Sequence, residues 1–372
     1  MSLGICDGAV FSVRLVELPM PTGSREPDVL LGWILDSLGL VRRRTEHSVG
    51  AEQFGALHRI MMDALLSEPL RGWDSNDLGE VTGLSNTGIH HQMVKLRECG
   101  LTTAQVEGKW HRHILRGGSM SSATSLMQAQ ANAVLRLRMS ELSRMVVQSE
   151  TRMREETEGD EPPFTIRISE AGPRKEEEDD ASSLVLGLGL AGDSPRAGDS
   201  LARDILVELS SGHLPITLLA LSERLSESRG RVSTVVERLR SSGIVERAPM
   251  LERVSQDVFA GIARQFDARG EEWLMTKGGL GRLEEKVSKA LLRHASKGTL
   301  DTGKVAEILM PVPSGDQRVL LNTLGGRMPY GVRISGEDGR AVSSRVTRNA
   351  ERVLRRIRTV AERLDESMGL PK

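Results

Sequence analysis

Five side chains able to ligate a transition metal lie close together in the first third of the chain: His90, His91, Cys99, His111 and His113. Imidazole nitrogen and thiolate sulfur are common zinc ligands, so the cluster raises the question of a metal centre. The spacing argues against one. If "LSNTGIHHQMVKLRECGL" (84–101) is a helix, His90 and His91 point about 100° apart, and neither belongs to an H-x-x-x-H or C-x-x-C pair that converges on one ion. His111 and His113 would share one strand face, and Cys99 reads as a small residue at a helix end. No metal and no cofactor is expected.

Catalytic groupings fare no better. The chain shows no nucleophile-and-base spacing and no pair of carboxylates in a recognisable frame. The glycines of "GGLG" (278–281) and the pair Gly325–Gly326 lack the Lys-Ser/Thr that completes a phosphate loop. An enzyme is not expected.

The elements that would hold these side chains follow from composition and period. With 372 residues, two or three domains are the prior expectation, and with 3% aromatic residues their cores must rest on Leu, Val, Ile, Met and Ala. That composition suits a mainly α protein. The net charge of -1 conceals an acidic crowd at 155–180 and an arginine crowd at 340–363, so it neither supports nor opposes a polyanionic partner. Two cysteines, Cys6 and Cys99, no apolar run near the roughly 18 residues of a membrane span and no secretory leader pattern make a cytoplasmic protein without a membrane partner the expectation.

Along the chain, 1–50 offers a strand in "AVFSVRLVEL" and a helix from about Asp28 to Val41, with no assigned role. Within 51–118 come a helix over Gln53–Leu66, a short helix with Ser75 as N-cap and a turn at Thr82–Gly83, and then the helix of Ile89, Met93 and Leu96, ended by Gly100. "LTTAQVEGKWHRHIL" follows as two strands turning near Glu107-Gly108. Helix, helix–turn–helix and hairpin in this order make a winged helix. Residues 119–154 are helical, with Arg138 interrupting an apolar seam, and 155–200 reads as an acidic, Gly/Ser/Pro-rich linker with "FTIRI" as a short strand inside it.

The first pattern returns at 201–250, where Val232, Val236, Leu239, Gly243 and Ile244 match the spacing of Ile89, Met93, Leu96, Gly100 and Leu101. Helical periodicity resumes where the second wing should stand, so that wing is missing or displaced. A weaker third echo over 251–342 suggests three helices before a hairpin turning at Gly336–Gly339. Val346, Ala350, Val353, Ile357, Val360 and Leu364, in 343–368, have coiled-coil spacing and predict a dimerisation helix.

The segment "TGLSNTGIHHQMVKLRECGLTTAQVEGKWHRHILRGG" resembles the helix–turn–helix and wing of ArsR- and MarR-type regulators, carried by Leu96, Gly100, Leu101, Lys109 and Arg112. The resemblance implies a homodimeric transcription factor that places its second helix in the major groove of double-stranded DNA. On that reading Asn86, Thr87, His90 and His91 contact bases, while Lys95, Lys109, Arg112, Arg229 and Arg231 contact phosphates. Ser233, Thr234 and Arg238 complete the second surface. Two alternatives stand beside it: a tandem winged-helix adaptor for protein contacts in chromosome segregation or replication, and a metal-sensing repressor of ArsR type.

Overall fold

The computed structural model describes residues 10–41, 55–108, 110–149, 161–170, 172, 179–193 and 198–370. The chain is mainly helical, and its described strands form three two-stranded antiparallel sheets. One element order occurs twice. The first run is β1 (Ser12–Val16), α1 (Pro27–Ser37), α2 (Ala56–Arg59) continuing into a π-helical turn (Ile60–Leu65), α3 (Ser75–Thr82), α4 (Asn86–Glu98), β2 (Thr102–Glu107), β3 (Trp110–Leu115) and α5 (Met120–Met145). The second is β4 (Thr165–Ser169), α6 (Asp180–Gly187), α7 (Leu201–Ser211), α8 (Leu218–Arg224), α9 (Arg229–Ser241), β5 (Val245–Pro249), β6 (Tyr330–Ile334) and α14 (Gly339–Met368). Between β5 and β6 stand α10 (Leu251–Thr276), α11 (Glu285–Ser296), α12 (Thr302–Leu309) and α13 (Ser314–Thr323).

The repeat is exact in register around α4 and α9, which are both 13 residues long and 143 positions apart (229 − 86). Each begins at a serine N-cap whose hydroxyl accepts from a backbone N–H three residues on: Ser85 from Gly88 and Ser228 from Arg231. Each ends with a buried thiol or hydroxyl, Cys99 or Ser242, donating to the carbonyl of Leu96 or Leu239. A left-handed glycine follows, Gly100 at φ 77° and Gly243 at φ 76°. The turn before each helix also needs a left-handed residue. Gly83 supplies it without strain, whereas the equivalent Ser226 holds φ 53° as the one described non-glycine residue at positive φ. The cap of α3 is Asp74, one residue before the expected Ser75, accepting from the N–H groups of Asn76 and Asp77.

The two runs are locked together reciprocally. β1 pairs with β4, setting Arg14 opposite its own equivalent Arg167, and Val13 and Leu15 opposite Ile168 and Ile166. Helix α1 packs on α14 of the other run, and α6 packs on α5. α5 and α14 run antiparallel: the Asp365 carboxylate accepts from the N–H groups of Met120 (2.9 Å) and Ser121 (2.7 Å), while the Ser343 hydroxyl donates to Met139 O (3.0 Å) at the other end. Gly339 sits so close to the Ser143 backbone that no Cβ fits there. A single apolar core extends through both runs.

This packing corrects two expectations. The seam of Val346, Ala350, Val353, Ile357, Val360 and Leu364 does not face a second chain, because every one of these residues is already buried inside this one. The described parts of 155–200 are not linker either: β4 closes the sheet with β1, and Leu184, Val185, Leu188 and Leu190 enter the common core. Acidic and glycine-rich composition lowers the average hydropathy of that stretch, but most of its described apolar residues face inward, Leu186 being exposed. The arginines of α14 also work within the chain, Arg352 and Arg356 pairing with Glu17 and Arg345 with Glu246.

The second hairpin is split by an insertion. β5 and β6 pair in register from Val245↔Ile334 to Pro249↔Tyr330, and residues 250–329 are inserted at the hairpin tip. The bridge that joins Trp73 to His113 in the first run recurs between Ile216 and Val332. The insertion has its own core, built from residues such as Val258, Ile262, Leu291, Val305 and Leu321. Its three expected helices are α11, α12 and α13, but the expected third hairpin does not form. Tyr330–Ile334 is taken by β5, and Asp338 caps α14 by accepting from the Ala341 N–H (2.7 Å).

Candidate nucleic-acid interface

On α4, burial of Ile89, Met93 and Leu96 fixes the rotation of the helix and leaves Asn86, Thr87, His90, His91 and Lys95 exposed. The His90 and His91 rings meet edge to face at 6.2 Å between centroids. All five residues carry polar, hydrogen-bonding groups. Lys109 lies outside the described residues, as does the side chain of Trp110. Arg112 is not a free cation: its guanidinium pairs with Glu107 (2.6 Å), approaches Asp77 (3.8 Å) and donates to Gly72 O (3.1 Å). It braces β3 against β2 and α3.

The second surface is less basic than the sequence suggested. Arg229 is exposed, at the first position of α9. Arg231 is held between Asp199 (2.9 Å) and Glu227 (2.6 Å). Arg238 turns back to donate to Ala191 O (3.2 Å), anchoring the segment after α6. Ser233 is half-buried, and the exposed Thr234 donates its hydroxyl to Gly230 O (3.0 Å). Sequence spacing placed these arginines on the outward face but could not place the partners of Arg231 and Arg238, which come from outside the helix.

A cleft of about 570 Å³ between α9, β6 and the start of the insertion brings Arg240, Arg247 and Arg253 to the side of Arg229. Arg247 covers the Tyr330 ring at 4.0 Å, and Glu237 of the same cleft pairs with Arg240 (2.8 Å). No sequence signal pointed to it, because the cleft exists only once Tyr330 is brought beside Arg247 by pairing across the insertion.

The histidine and cysteine residues do not converge. Cys99 is fully buried, which pushes its thiol up to about 12 and keeps it protonated. His113 is buried on β3, and its Nδ1 has no hydrogen-bond partner. Among the described residues no three His, Cys, Asp or Glu side chains gather as a metal site, and no described helix is long and apolar enough to cross a membrane.

Burial, reinforced by the charges of Arg97, His111 and His90, lowers the His113 pKa from 6.5 to about 4. Between those values the unfolded chain holds a proton that the folded chain refuses, so stability is complete above pH 6.5 and falls as the pH drops toward 4. The loss is on the order of 3 kcal/mol. Val332 occupies the equivalent place in the second run. His113→Val is therefore expected to flatten the decline, measured by urea unfolding from pH 7.5 to 4.5. An unchanged decline would assign it to other groups.

Comparison with protein-family models, with curated proteins and with solved structures finds no match for this chain.

Proposed function

We propose that this protein is a non-enzymatic, sequence-specific DNA-binding regulator of winged-helix type, built from two helix–turn–helix units. The observation that carries the reading is the construction of one helix–turn–helix twice, to the residue, with the outward face of its second helix left polar and accessible in α4. A second helix rotated by its apolar stripe so that Asn, Thr, His and Lys point outward is the geometry with which such units read base edges. The hairpin after each second helix supports the same reading.

The adaptor reading is the second choice. It draws support from the internal neutralisation of Arg112 and Arg231, which leaves fewer cations for phosphates than a DNA-binding surface commonly shows. A metal-sensing role has the least support, since Cys99 and His113 are both turned into the core.

Duplexes selected from a random library, measured by fluorescence anisotropy over a salt series, test the proposal. His90→Ala with His91→Ala is expected to weaken the selected duplex by about 1–3 kcal/mol per base contact, with random DNA little affected. Arg229→Ala is expected to weaken both alike and to reduce the slope of log K against log salt by about 0.9. Arg231→Ala changes the slope less, because its charge is already matched. If no variant alters DNA binding while circular dichroism shows intact folding, the adaptor reading replaces this one.

A further inference from the structure

The surfaces through which a homodimeric regulator would join two chains are, in this protein, joined within one. The β1–β4 pairing is self-complementary in the way a twofold interface must be: Arg14 faces its own equivalent, and each flanking apolar residue faces the equivalent of the other. The long helix that follows each wing packs antiparallel against its counterpart, with Ala131 and Ala350, Leu135 and Leu354 at equivalent buried positions. Helices α1 and α6 are exchanged between the runs, each resting on the other's long helix. What symmetry would have made identical is not identical here. At equivalent positions of the two second helices stand Asn86 and Arg229, Thr87 and Gly230, His90 and Ser233, His91 and Thr234. The first hairpin stays paired to its end at Glu107↔Trp110, whereas the tip of the second is opened by residues 250–329 and cannot approach a groove in the same way.

We infer that one chain binds one DNA duplex alone, as a covalent counterpart of a dimer, and that the duplex it prefers is not palindromic. This rests on the DNA-binding reading above. Palindromic sites mirror two identical reading surfaces about a twofold axis, so two unlike surfaces about the same kind of axis call for two unlike half-sites. The first half is read through the hydrogen-bonding face of α4. The second is gripped through the exposed Arg229 and the arginine-lined cleft beside it, and tolerates more sequence variation.

Duplexes selected by the 372-residue chain, with the mass of the free chain and of the complex measured by sedimentation, decide the matter. The expected result is a monomeric free chain, one chain per duplex, and a motif of two unlike halves whose centres lie about 10 bp or a multiple of it apart. Replacing the less constrained half by an inverted copy of the other should not raise affinity, and should lower it about tenfold or more where the insertion meets the wrong half. His90→Ala with His91→Ala should erase sequence preference in one half only. Two chains on a palindromic duplex, or loss of preference in both halves together, would overturn the inference while leaving DNA binding intact. A monomeric chain that selects no duplex at all would overturn the DNA-binding reading itself, and this inference with it.

Discussion

Replacing Val353 and Ile357 together by Asp is expected to unfold the protein rather than to divide a dimer. Val353 is 2% exposed and Ile357 is fully buried, both on the face of α14 that meets the shared core. Two carboxylates placed there have no cationic partner among the apolar residues of the seam, and the desolvation of an unpaired charge exceeds what one or two side chains can offset. The loss should be at least about 4 kcal/mol, a large part of the stability of an ordinary domain. Thermal unfolding followed by circular dichroism should show the cooperative transition lost or shifted far down, with no folded species of half the mass in sedimentation. A variant that stays folded while its mass halves would show that the seam joins two chains.

The second large effect concerns Arg138, which interrupts the seam of α5. Counting from the helix caps Ser119 and Asp338, Arg138 and Glu141 of α5 occupy the places of Ile357 and Val360 in α14. The guanidinium pairs with Glu141 (3.0 Å) and donates to the Ser183 hydroxyl (2.7 Å), and both charged side chains are 3% exposed. It also lies against Gly187, where a Cβ would collide with it. Breaking such a pair from one side leaves a buried charge unmatched. Arg138→Ala or Glu141→Ala should each destabilise by about 3–5 kcal/mol. The double exchange Arg138→Ile with Glu141→Val installs the residues of the other run and should recover most of that loss, since buried pairs replaced by apolar groups of similar volume are often neutral. Urea unfolding of the three variants gives the comparison. A double variant as unstable as the singles would mean that the surrounding pocket, shaped by Ser183 and Gly187, needs the ion pair itself.

Legibility of the sequence followed the range of the interactions. Helices α4 and α9 were readable because their determinants are local: apolar residues at positions 89, 93 and 96 or 232, 236 and 239, and a glycine after each. Periodicity alone turned Thr87 and His91 outward and put His90 and Lys95 on the flanks, and all four are exposed. Ion pairing did not. Arg112, Arg231 and Arg238 looked outward by spacing, yet their partners Asp77, Asp199 and Ala191 are supplied by other segments. The α14 seam was correctly found as apolar, but a spacing of three and four is the same whether the partner helix belongs to another chain or to residues 120–145 of this one.

By itself, then, the sequence determined a mainly helical chain, a repeated order of short helix, turn and longer helix, and the polar face of the first of those longer helices, because caps, turns and a period of 3.6 residues act over a dozen positions. Only the tertiary structure decided that Tyr330–Ile334 pairs with Val245–Pro249, that Thr165–Ser169 pairs with Ser12–Val16, and that the seam of α14 is spent on α5. Strand pairing and helix docking carry little local signature: a five-residue apolar strand accepts many partners, and the choice among them is made by the burial of the whole core at once.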